Sequence, residues 1–254
     1  MESGARPSAT FSTADGRELR IYAVGDIHGR LDLLDDLIHR IGADVSARPD
    51  ISTRIIILGD FIDRGPASAK IIELLIQLKT DPHVIVLRGN HETTMLDALG
   101  GNHLAMDLWL EHGGLATLKS FHADLTKVET DDSRAMIKLA RRVIPRRVIV
   151  WLRRLPTYIQ FGQYYFVHAG IRPGVLLQDQ CDEDRLWVRD DFTNNSDDHG
   201  AIIVHGHTIY ENGIFFGRNR IGVDTGAYRT GLLSAVALQG DQCWIVDTSA
   251  QAKA

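Results

Sequence analysis

Asp60, Asp63 and Arg64 follow directly on the apolar run at residues 55–58. Charges this close to a buried strand need a partner: a metal, a phosphate or each other. The arrangement recurs along the chain. LRIYAV (19–24) runs into Gly25, Asp26, Ile27, His28 and Gly29, and HVIVLR (83–88) runs into Gly89, Asn90, His91 and Glu92. YYFV delivers His168, and AIIVH delivers Gly206 and His207. A single Asp after a strand is usually a turn or cap residue, and a single buried His is usually a satisfied one. Five recurrences at equivalent positions make that a poor account of the set.

Carboxylate, amide oxygen and imidazole together suit manganese, iron or zinc better than an all-oxygen calcium cage. Asp26, His28, Asp60, Asn90, His168 and His207 are too many ligands for one tetrahedral zinc. They fit two metals sharing a bridging carboxylate, an arrangement suited to phosphoester hydrolysis.

The elements that must position these residues read as strand and helix in alternation over the first ninety or so residues. LRIYAV, TRIIIL (53–58) and HVIVLR are strand-like. LDLLDDLIHRIG (31–42) has helical apolar spacing ending at a glycine, and PASAKIIELLIQLK begins with Pro66. Two successive strand–helix–strand units predict a largely parallel sheet, whose carboxyl edge is where ligands bind. Residues from about 93 to 150 read as a helical insertion over one end of that sheet. After it the chain turns β-rich, with short Gly- and Asn-containing connections that predict hairpins and an antiparallel portion.

The whole chain is consistent with one domain. It has 254 residues, 44% hydrophobic and 24% charged. A net charge of −5 argues against a dedicated nucleic-acid binder. Two distant cysteines, Cys181 and Cys243, give no disulfide framework and fit a reducing compartment, with the cytoplasm the expected setting. No apolar stretch is long enough to span a membrane. Residues 1–17 read as a flexible tail and 18–250 as a single catalytic domain.

GDIHG, GDFIDRG, RGNHE, HAG and GHT, in this order over residues 20–246, resemble the metal-dependent phosphoprotein phosphatase family of calcineurin-like metallophosphoesterases. The short bacterial and phage serine/threonine enzymes are the nearest branch. The resemblance implies an α/β fold, a β-sandwich flanked by helices. Asp26 and His28 would hold one metal, Asn90, His168 and His207 the other, and Asp60 would bridge them. Two divalent ions are implied, manganese first, with iron or zinc as alternatives. A metal-held hydroxide would attack phosphorus. His91, oriented by Asp63, would protonate the leaving oxygen. Arg64 and Arg189, with Asn90, would bind the substrate phosphate; the alternative for Arg189 is a surface pair with its neighbouring aspartates.

The expected substrate is a phosphorylated protein or peptide. The rival is hydrolysis of diadenosine tetraphosphate, whose enzymes share the scaffold but often carry GNHD and lack the first Asp of the DRG triplet. Glu92 and Asp63 favour the phosphatase. A catalytically silent binding module is a third reading, opposed by the complete ligand set. His205, two residues before His207, is expected on the same side of its strand, supporting the site or facing phosphate. Glu92, Arg88 and Asp224 read as structural partners and Tyr228 as a site wall. The arginines at 141, 142, 146, 147, 153 and 154 read as a solvated face or as a collar for an acidic substrate.

Overall fold

A computed structural model describes residues 18–49 and 51–249. The tail assigned to residues 1–17 lies outside them, as does residue 250. Three parallel strands, β1 (Leu19–Val24), β2 (Ser52–Ile57) and β3 (Val84–Val86), alternate with helices α1 (Leu31–Ala47) and α2 (Ser68–Leu78). A second sheet is built from β4 (Tyr158–Phe161), β5 (Tyr164–Val167), β6 (Ile202–His205), β7 (Phe215–Phe216) and β8 (Arg220–Gly222), in the order β4-β5-β6-β8-β7. The chain then returns to the first sheet through β9 (Ser234–Gln239) and β10 (Gln242–Asp247), giving the order β10-β9-β1-β2-β3.

The period-two geometry of a strand explains the layering. Leu19, Ile21 and Ala23 of β1 meet Tyr164, Phe166, Val204 and Ile221 between the two sheets. Tyr22 and Val24 face the other way and pack with Leu34, Leu37 and Ile41 of α1 and Ile71, Ile72 and Leu75 of α2. The result is a sandwich of two mixed sheets with helices on its outer faces.

One local expectation fails: helix α1 does not stop at Gly42 but continues to Ala47. Val45 keeps the apolar spacing and packs on the core, offsetting the cost of a glycine inside a helix, about 1 kcal/mol. The β-rich half has the expected antiparallel hairpins β4–β5, β7–β8 and β9–β10. Beside them β5, β6 and β8 run parallel to one another, joined by longer connections that allow crossovers.

The helical insertion comprises α3 (Asn90–Gly100), α4 (His103–Trp109), a π-turn (Leu110–Gly114), α5 (Leu115–Ser120), α6 (Ser133–Val143) and α7 (Arg146–Leu152). Met95, Trp109, Leu118, Met136 and Val148 join the core on the helical side of the first sheet. That brings α4 and α5 against the loop after β2, where the charged residues lie. Among the described residues no helix is long and apolar enough to cross a membrane.

Candidate metal centre

Each strand-end motif turns sharply as its strand finishes. His28, Asp60, Asp63, Arg64 and His207 all adopt positive φ, between 44° and 69°. Such conformations cost a non-glycine residue roughly 1–3 kcal/mol and persist only where the surroundings hold them. Glycines make room for the carboxylates. A Cβ on Gly89 would meet Asp60 Oδ1 at 2.1 Å, and one on Gly206 would meet Asp26 Oδ1 at 2.2 Å.

The six expected ligand residues converge and are buried. Asp60 Oδ2 lies 3.4 Å from His168 Nε2, 3.9 Å from His28 Nε2 and 3.8 Å from His91 Nε2. Its other oxygen accepts the His91 backbone N–H at 3.0 Å. Asp26 lies 3.9 Å from His28 Nε2 and accepts the His207 backbone N–H. Asn90 Oδ1 is 2.8 Å from His168 Nε2. Two groups with metal-ligand spacing share Asp60: His28, Asp60 and His91, and Asp60, His168 and His207.

The donor set fits cations on physical grounds. His168 Nδ1 faces the Leu58 carbonyl at 3.0 Å, so its Nε2 meets two further oxygens, of Asn90 and Asp60. A proton or a cation between them would reconcile those three groups. Burial opposes charge on His168, but Asp60 outweighs it and lifts the imidazole to about 9. His28 and His207 are held well below their usual range by burial, and so stay neutral as ligands must. His207 Nε2 is buried without a hydrogen-bond partner. Burial, then the nearby Asp224, push the Asp26 carboxyl well above its usual range, a strain that divalent cations would relieve.

Beside this cluster stands a second group. His91 Nδ1 contacts Asp63 Oδ2 at 2.7 Å, leaving Nε2 to face the centre. Asp63 is fully buried and is gripped from the insertion: Trp109 Nε1 donates to both its oxygens at 3.0 Å, and Thr117 Oγ1 donates to Oδ1 at 2.6 Å. The half-buried Arg64 directs its guanidinium to His28 Nε2 at 3.0 Å and His91 Nε2 at 3.2 Å. Its backbone N–H donates to the Gly113 carbonyl, and Tyr228 lies face-on beneath it, 4.3 Å from the ring centroid.

Sequence reasoning missed Trp109 and Thr117, whose helical apolar spacing reads only as core. Glu92 is the structural partner expected of it, on a larger scale: its carboxylate accepts the backbone N–H groups of Asp60, Phe61, Ile62 and Gly89. Burial, with Asp60 nearby, lifts that carboxyl to about 7. Arg189 is exposed, its charge disfavours protonation of His207, and it pairs with none of the described aspartates. His205, the last residue of β6, is fully buried, packs edge-on against Phe192 and Tyr210 and joins neither metal-ligand group.

A family model for calcineurin-like phosphoesterases matches residues 19–230. Serine/threonine-protein phosphatase 2 of Escherichia coli is 28% identical over 244 residues, covering 90% of this chain and 97% of that protein. The asymmetrical bis(5'-nucleosyl)-tetraphosphatase PrpE of Oceanobacillus iheyensis is 25% identical over 228 residues, covering 82% and 84%. The crystal structure of a candidate diadenosine tetraphosphatase superposes with a TM-score of 0.60 at 21% identity, over 90% of this chain and 93% of that one, a likeness of fold. The fold, the buried His/Asp cluster and the match over most of the chain agree, and the protein belongs to the calcineurin-like phosphoesterase family.

Proposed function

We propose that this phosphoesterase is a serine/threonine protein phosphatase in which residues 18–250 form one catalytic unit. Asp26 and His28 would hold one divalent ion, Asn90, His168 and His207 a second, and Asp60 would bridge both. Manganese is the favoured pair, with iron or zinc as alternatives, since the ligands mix oxygen with imidazole. When bound, the ions supply the nucleophilic water and neutralise charge on the phosphoryl oxygens.

This chain's own residues do the rest. Arg64 presents its planar fork toward the centre and would grip two phosphoryl oxygens, with Arg189 approaching from the side of His207 and Asn90 adding its amide. Asp63 holds the His91 ring by Nδ1, and once the substrate phosphate draws the Arg64 guanidinium off Nε2, that nitrogen would carry the proton for the departing oxygen. Burial disfavours the imidazolium, but Asp60 and Asp63 outweigh it and raise the group.

The observation that carries the substrate reading is the His91–Asp63 pair. Serine and threonine leave as alkoxides, which need a proton more than a nucleoside phosphate does. A fully buried Asp63, fixed by three hydrogen-bond contacts from the insertion, is the expected support for such an acid. The alternative is a dinucleoside tetraphosphate, the substrate in the name of the Oceanobacillus relative. The exposed rings of Trp187 and His112, near His91, favour it by offering a base something to stack on. A silent binding module would have no use for the complete ligand set. No membrane or nucleic-acid partner enters this reading, and the two cysteine thiols fit the cytoplasm. Parallel assays on a phosphoserine peptide, a phosphotyrosine peptide and diadenosine tetraphosphate test it. The highest kcat/KM is expected on phosphoserine, and a preference for the dinucleotide would overturn the reading.

A further inference from the structure

The insertion carries a second feature, remote from the metal centre. Arg134, Lys138 and Arg141 recur along one exposed stripe of α6 at helical spacing. None of them pairs with a described acid, although the chain as a whole is acidic, at −5. With His103 at the start of α4 they line an open cleft of about 630 Å³. The one acid lining it, Asp132, caps α6 by accepting the Ala135 N–H at 3.0 Å.

Two hydrogen bonds fix how the stripe runs. Ser133 Oγ donates to Asp107 at 2.6 Å, and Arg141 Nε donates to the Leu99 carbonyl at 2.8 Å. Helix α6 therefore lies antiparallel beside α4. Its basic stripe begins next to Asp107 and recedes for about 10 Å, the rise of seven helical residues. Leu108, immediately beyond Asp107, and His112 line the niche beside Asn90 and His91. A substrate chain running from the centre over the surface of Leu108 and Asp107 would reach the stripe, and about 10 Å is three residues of extended peptide.

We propose that this cleft docks an acidic segment flanking the phosphorylated residue of a protein substrate. The proposal rests on the protein-phosphatase reading above and adds a sequence preference to it. Its walls suit carboxylates better than nucleosides: three cations surround Ala135 and Ile137, and no Phe, Tyr or Trp offers a base a stacking surface. Of the arginines after it, Arg147 is already paired with Glu73.

The experiment uses the full chain, loaded with manganese, and its R134Q/K138Q variant. Both side chains are exposed and glutamine keeps the helix, so metal content and hydrolysis of p-nitrophenyl phosphate should be unchanged. Two phosphoserine peptides are compared, one with Asp and Glu on both flanks and one with Gln and Ser. Two exposed ion pairs predict an acidic preference in kcat/KM of about three- to tenfold, carried by KM and weakened by salt. The variant should lose that preference while keeping the parent's rate on the neutral peptide. A parent with no acidic preference, or a variant that retains it, overturns the docking site alone. A parent that cleaves neither peptide but hydrolyses diadenosine tetraphosphate overturns the functional reading, and the docking site with it.

Discussion

The two halves of the site are held in different ways. Asp26, His28, Asp60, His168 and His207 are fixed by the backbone around them: strand-end turns, glycines beside carboxylates, and carbonyls such as those of Ile62 and Leu58 on the histidine Nδ1 atoms. His91, Asp63 and Arg64 are instead steadied by distant groups, Trp109, Thr117, Gly113 and Tyr228. On the proposed reading, a metal half held by the sheet and an acid half held mainly by the insertion should therefore be separable by mutation.

The largest effects should come from the metal half. Chelation should abolish turnover, manganese should restore it, and magnesium should do so poorly, because imidazole-rich sites suit transition ions. Asp60→Asn should damage metal retention more than Asp26→Asn, since Asp60 faces three imidazoles and both candidate ions, whereas Asp26 faces one. Metal stoichiometry after dialysis is the check. Two tightly held ions in Asp60→Asn would show that the carboxylate does not bridge.

Next comes His91→Ala, which should leave the metal half intact. General acid catalysis contributes ~10²–10⁴ in rate, roughly 3–5 kcal/mol. That loss is expected on a phosphoserine peptide, and distinctly less on p-nitrophenyl phosphate, whose phenolate departs without help. His91 also has metal-ligand spacing to His28 and Asp60. Equal losses on both substrates, with metal lost as well, would make it a ligand and join the two halves.

The halves also differ in how far they could be read from sequence. Every expected ligand stood at the end of an apolar strand, so a local pattern was enough to place it. The parallel trio β1–β2–β3 was legible for the same reason: its strands and helices alternate with clear periods. Trp109 and Thr117 lie 46 and 54 residues from Asp63, and no local spacing reveals a contact made only when the insertion folds back. The hairpins of the β-rich half follow from its short turns, whereas the parallel pairing of β5, β6 and β8 joins segments too far apart in sequence for a local signal.

Trp109→Phe probes the long-range support at smaller cost. It keeps an aromatic ring in the core but removes the N–H shared by both Asp63 oxygens. A hydrogen bond to a charged group is worth roughly 1.5–3 kcal/mol, so a stability loss of about that size is expected in urea unfolding. Turnover of phosphoserine should fall about three- to tenfold, a fraction of the loss for deleting the acid itself. Metal content and nitrophenyl turnover should hold. Loss of metal in this variant would mean that the insertion supports both halves.

The smallest effect should come from Tyr228, which sits where the halves meet. Its ring lies under the Arg64 guanidinium at 4.3 Å and edge-on to His28 at 5.3 Å, so one side chain touches both groups. A cation–π contact at a partly exposed site is worth roughly 0.5–1 kcal/mol, or about a two- to fivefold change in affinity. The contact holds Arg64 before substrate arrives and remains afterwards, so its loss should weaken phosphate binding rather than the chemical step. Tyr228→Leu should therefore raise KM and weaken inhibition by inorganic phosphate by about that factor, with kcat and metal content near parental. Tyr228→Phe keeps the face of the ring and should behave like the parent. If Phe and Leu are equally impaired, the hydroxyl rather than the ring serves the site; if Leu lowers kcat and sheds metal, Tyr228 belongs to the metal half through His28.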